Sequence, residues 1–203
     1  YYSPNGIALQ EENVLGINSA IQEGDYHGRL PVCIANNASY GTIHFNAFED
    51  ADAAGATHYI ADAHSGINSF EVGACSNTYD VPTLYIDQHA ADEGLLMKLW
   101  VKVPDQYFES ESEYTDYFRD NLNLNVTHTE FEGIAHVGDW YLIESTISGL
   151  SASSTADISL SNDGSYDVKI DDVRLQPTDA TMVAYVYDNY DRLTLSFDDQ
   201  HFG

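Results

Sequence analysis

Short runs of alternating apolar and polar residues, set off by Gly, Asn, Asp and Ser, recur along the chain, and that rhythm predicts strands. The clearest are 42–49, 68–73, 83–87, 95–103, 122–131, 139–147, 156–161, 165–176, 182–187 and 192–197. Only 14–21 and 109–121 have a helical pattern, and the second is acidic enough to read better as a loop. Many short strands joined by polar turns predict an all-β chain, folded as an antiparallel sandwich or barrel.

Alternation also predicts facing. Met97, Leu99, Val101 and Val103 share one face of their strand, and Lys98, Trp100 and Lys102 share the other. In 139–147, Tyr141, Ile143 and Ile147 oppose Trp140, Glu144 and Thr146. Two strands break the pattern. Ile43, Phe45 and Ala47 are followed by Phe48, and Tyr166, Val168 and Ile170 give way to Val173 and Leu175 across Asp171-Asp172. A parity change inside a strand predicts a bulge or a change of sheet. Both breaks lie beside carboxylates.

Composition adds one unusual feature. The 203 residues hold 43% hydrophobic residues, enough for a packed core, but 33 acidic residues face 7 Lys and Arg, a net charge of -26. Such a surface repels nucleic acid and anionic lipid. It suits saline surroundings, where counterions screen the self-repulsion, or a protein that holds divalent cations. No apolar run has the length of a membrane span, so membrane insertion is not expected. The chain starts at Tyr1 rather than Met, which reads as a processed product or an excerpt. Its two cysteines, Cys33 and Cys75, would close a loop of about 40 residues if bridged, worth roughly 4 kcal/mol; equally, they could be small buried residues.

Phe45-Asn46-Ala47-Phe48-Glu49-Asp50, Ala63-His64-Ser65-Gly66 with Ser69-Phe70, Leu99-Trp100-Val101-Lys102, Asp139-Trp140 and Ile170-Asp171-Asp172-Val173-Arg174-Leu175 follow one another in a telling order. That order resembles carbohydrate-binding modules of the galactose-binding-like jelly-roll type, over about residues 43–177. The segment 185–194, Tyr-Val-Tyr-Asp-Asn-Tyr-Asp-Arg-Leu-Thr, resembles a single YD repeat of the RHS type, with Asp191 where that pattern has Gly. Residues 1–42 resemble the linker before such modules. The resemblance implies a jelly roll between an N-terminal extended segment and a C-terminal β-hairpin (178–203), in a very large secreted or cell-surface bacterial protein.

The resemblance also implies a structural calcium held by Glu49 and Asp172, with Asp171 as the alternative. Carboxylates beside a backbone irregularity suit calcium, which takes several oxygen ligands. Trp100 between Lys98 and Lys102 could stack on a sugar ring and pair with acidic substituents, or Trp100 could belong to a second core layer. Trp140, Tyr107, Phe108, Tyr114 and Tyr117 are weaker platforms. His58 and His64 lack a zinc-site pattern. No nucleophile elbow, phosphate loop or dinucleotide fingerprint is present. Glu130 and Glu132 read as one acidic strand face, so no catalysis is expected.

Two functions remain. One is a structural, adhesive module of a larger surface protein, assembling into a fibre with copies of itself or with neighbouring domains through its terminal segments. The other is a calcium-stabilised module that binds polysaccharide. The terminal segments bear on the choice, since neither builds a core of its own and an isolated hairpin is marginal in water.

Overall fold

The computed structural model describes all residues except Asn5, 25–29, 50–57, 104–109, Asn189 and 199–203, and only the backbone of Glu111. It is an all-β antiparallel sandwich, as the alternation predicts. The strands in chain order begin with β1 (Gln10–Glu12), β2 (Asn18–Glu23), β3 (Pro31–Asn36), β4 (His44–Asn46), β5 (Tyr59–Ile60), β6 (Ser69–Val72), β7 (Thr78–Asp80), β8 (Leu84–Ile86) and β9 (Leu95–Lys102). After them come β10 (Leu122–Leu124), β11 (Glu132–Val137), β12 (Trp140–Ile147), β13 (Ser154–Ala156), β14 (Ser159–Asn162), β15 (Val168–Pro177), β16 (Thr181–Tyr187) and β17 (Leu193–Phe197).

Two helices interrupt them. Helix α1 (Gln88–Glu93) starts where Asp87 Oδ1 accepts from Ala90 N, and stops at Gly94 with φ 84°. Helix α2 (Glu111–Asn121) occupies the stretch read as an acidic loop. Its buried Tyr114, Tyr117 and Phe118 lie three and four residues apart, so they form one apolar stripe and the acids take the solvent side. That stripe outweighs the acid content. Of the expected span 109–121, Glu109 lies outside the described residues.

A central sheet runs β11-β12-β9-β15-β6-β5. Long β15 pairs with β9 on one side, and on the other with β6 and then β4. The first core fills the space between this sheet and the smaller sheets β10-β14-β7 and β13-β8. Met97, Leu99, Val101 and Val103 point into it, as their alternation requires.

The parity breaks resolve into two devices. Asp172 takes φ 49° at a shift in the β15–β9 register, a bulge that returns Val173 and Leu175 to the same core as Val168 and Ile170. At the other break Phe48 takes φ 58° and enters the first core, while Ile43, Phe45 and Ala47 face a second one.

That second core is built by both ends of the chain. The segment expected as an extended linker forms β1, β2 and β3, the C-terminal hairpin forms β16 and β17, and all five make one sheet, β1-β2-β3-β16-β17. Ala20, Ala35 and Met182 lie side by side across it, and small side chains let the sheet approach Ile43, Phe45 and Ala47 closely. Gln22 completes the junction. Its Oε1 accepts from Phe45 N at 2.7 Å and its Nε2 donates to Phe45 O at 3.0 Å. Buried Arg174 reaches across too, donating from Nη1 to Asp198 O at 2.9 Å with its guanidinium over the Phe197 ring.

Candidate functional site

Glu49, Asp171, Asp172, His64 and Trp100, all singled out from sequence, meet at one loop on the outer side of the central sheet. Residues 62–68 cross from β5 to β6, and three buried carboxylates hold them. Asp171 Oδ2 accepts from His64 N at 2.8 Å and Ser65 N at 3.0 Å, and its Oδ1 accepts from Asp172 N. Asp172 takes the Ser65 hydroxyl at 2.6 Å on Oδ1 and His64 Nδ1 at 2.7 Å on Oδ2. Glu49 Oε1 accepts from Ile67 N and Asn68 N at 2.7 and 2.6 Å. Gly66, at φ 66°, lies against Glu49, and a Cβ there would stand 2.4 Å from its carboxyl carbon.

Asp62 anchors the loop's first turn by pairing with Lys102 and Lys169. Both lysines hold its carboxyl below the usual carboxylate range, Lys169 more strongly. Burial, reinforced by the neighbouring Asp172, pushes the Asp171 carboxyl well above that range despite its amide donors.

These carboxylates sit where the expected calcium ligands were placed, and their oxygens are the hard donors that calcium prefers. Six of their hydrogen bonds, however, run to the loop at residues 64–68. Among the described residues no three His, Cys, Asp or Glu side chains gather as a set that could hold a metal ion.

Trp100 does not form an open platform. It is 2% exposed, with the His64 ring stacked on it at 3.9 Å and an interplanar angle of 12°. With Trp140 and Leu142 it makes a small third cluster. The carboxylate-held loop therefore covers the indole, and the second-core-layer alternative is the one that forms. The flanking cations are engaged as well: Lys98 pairs with Glu144 at 3.2 Å, and Lys102 with Asp62 and Asp139. Among the weaker platforms Trp140, Tyr114 and Tyr117 are buried, while Tyr107 and Phe108 lie outside the described residues.

The cysteines are thiols, without a bridge between them. Cys33 is fully buried in β3, donates to Gln22 Oε1, and is pushed up to about 12 by burial. Cys75 is exposed in the turn after β6, with Sγ directed at Asp163 O. One lies inside a strand of the terminal sheet and the other in an exposed turn beside Asp163, which is why a pairing drawn from their number alone fails.

Two polar features escaped the sequence reading. Buried His44 Nε2 meets Tyr79 Oη at 2.8 Å, and Asn46 Nδ2 donates to the same hydroxyl. Burial lowers His44 to about 4, so its ring is neutral near pH 7, and the tautomer sets which of the two groups donates. In the C-terminal hairpin, Asp188 Oδ1 accepts from Tyr190 N and Arg192 N, its Oδ2 pairs with the Arg192 guanidinium, and Asp191 adopts φ 59°. Asp thus takes the left-handed conformation that Gly usually fills. Asn189, within this turn, lies outside the described residues.

No protein-family model matches the chain, and no curated protein matches it.

Proposed function

We propose that this chain is a non-catalytic, extracellular structural or adhesive module of a larger surface protein, working beside copies of itself or neighbouring domains. One observation carries the reading: both terminal segments are spent on a single sheet that locks onto the sandwich, β3 against β16. A module whose two ends are clasped together transmits load between its neighbours through that sheet. In this reading neighbours meet as modules whose terminal strands are already paired with one another. The large-surface-protein setting rests on the YD-repeat resemblance of 185–194, in which Asp191 takes a left-handed conformation where that pattern has Gly. The charge of -26 agrees with a saline exterior.

Binding of polysaccharide at Trp100 loses its platform, because His64 occupies the face a sugar would use. Structural calcium stays in the proposal at Glu49, Asp171 and Asp172, with its own test. Calcium raising the melting temperature and a chelator lowering it is the expected result; identical melting in both removes the ion from the reading.

Immunolabelling of intact cells, followed by electron microscopy of the labelled material, tests the function. Label on surface assemblies built of repeated units is expected. Label confined to the cell interior, or on free single particles alone, overturns the reading.

A further inference from the structure

We propose that the free edge of β11 is where a second copy of this chain pairs, strand against strand. The proposal rests on the structural-module reading and names the contact it needs.

Strand β11 closes one edge of the central sheet and, among the described residues, pairs with β12 alone. Sheet edges in soluble proteins are commonly blunted by Lys, Pro or inward-pointing charges. From Gly133 to Gly138 this edge has none of them, reading Gly-Ile-Ala-His-Val-Gly. Ile134 is 48% and Val137 61% exposed. The edge at β1 is different: Tyr1 O accepts from Leu9 N and Gln10 N, Tyr2 bridges to Ala8, and Glu11 and Glu12 follow.

Geometry selects which backbone groups are offered. Val137 and Trp140 flank the two-residue turn Gly138-Asp139, so they form the closing hydrogen-bonded pair of the hairpin. By alternation the His136 N–H and C=O then point away from β12. The register shift between Gly133 and Ala135 leaves 135–137 as the regular part of the edge.

Charge selects the occupant. Antiparallel pairing of two copies about His136 sets Ala135 opposite Val137 and His136 opposite its own copy, so along the regular part of the edge no carboxylate faces another. Most surfaces of a chain with net charge -26 would meet their own copy acid against acid. The result is a two-fold contact that joins two central sheets into one. Its area is small and the like net charges oppose it, so it is weak and strengthens as salt screens them.

Light scattering and sedimentation of the whole chain, over a concentration series at low and high salt, test it. The expected result is a monomer–dimer equilibrium that shifts toward dimer with concentration and salt. Proline is tolerated on an edge strand where the N–H faces outward, so His136→Pro should keep the parent's circular dichroism and raise the dimer dissociation constant about tenfold or more. His136→Glu, which sets two carboxylates against each other, should weaken the dimer at low salt and regain part of it at high salt. Should His136→Pro fail to fold, His136→Glu decides alone. A folded variant that still dimerises like the parent overturns the β11 contact and leaves the module reading standing. A parent chain that stays monomeric throughout overturns the contact between copies itself, while cell-surface labelling still judges the module.

Discussion

Gly66 shows how little freedom the loop at 62–68 has. A β-carbon there must displace the buried Glu49 carboxylate in a backbone conformation already unfavourable for other residues, so Gly66→Ala should cost about 2–4 kcal/mol in chemical denaturation. Trp100→Ala should cost about 3–5 kcal/mol, a loss of stability where an open platform would lose only binding. Two buried groups pull in opposite directions with pH. His44 has a folded-state value near 4 against 6.5 for the free side chain, so its contribution is present above 6.5 and lost as pH falls to about 4. That shift corresponds to about 3 kcal/mol, and His44→Gln should remove most of this acid-side loss. Asp171 is raised above 3.8; its contribution is full below 3.8 and declines as pH rises through the folded-state value, so Asp171→Asn should flatten the pH profile in the other sense. Melting curves from pH 8 to 3 on the two variants separate the contributions. At this scale the sequence showed where the special residues lie, since the parity breaks fall at Phe48–Glu49 and Asp171–Asp172. It did not show what they do. Acceptor directions depend on a loop more than a hundred residues away from Asp171.

Among elements, legibility followed the contrast between faces. Strand β9 has large aliphatics on one side and Lys, Trp and Lys on the other, and it was predicted almost to the residue. Strands β2 and β3 bury Ala20, Cys33 and Ala35, small side chains that hardly stand out from the Ser and Gln around them, so β3 read as linker and the start of β2 fell in the helical pattern of 14–21, where the structure has a strand from Asn18. Helix α2 was obscured by composition, because its apolar stripe is only Tyr114, Tyr117 and Phe118 amid acids. The dependence of β3 on β16 gives an element-scale prediction. A chain ending at Pro177 should lose amide-exchange protection across 18–23 and 31–36 while 95–102 stays protected, because the two sets belong to separate cores. Equal protection in both segments would contradict the shared terminal sheet.

For the whole molecule, charge and topology set behaviour that individual contacts do not. The surplus of acids is a standing repulsion, so the melting temperature should climb with sodium chloride across the range in which screening improves; a flat response would contradict that repulsion. The sandwich class was legible because strand rhythm survives at low resolution of reading. The joining of the two ends was not, since nothing local in 1–42 or 178–203 announces a partner so far along the chain.

That joining has a consequence for how the protein is made. Ala35 waits for Met182, its neighbour in the finished sheet, and at about 5–20 residues per second a ribosome needs some ten seconds to supply it. During that interval β3 is an unfinished edge, open to wrong partners, and closure over so long a stretch of chain is intrinsically slow. The module is therefore built to finish late. A nascent chain held extended until its last strands emerge, as a polypeptide in transit through a membrane is, avoids the hazard altogether.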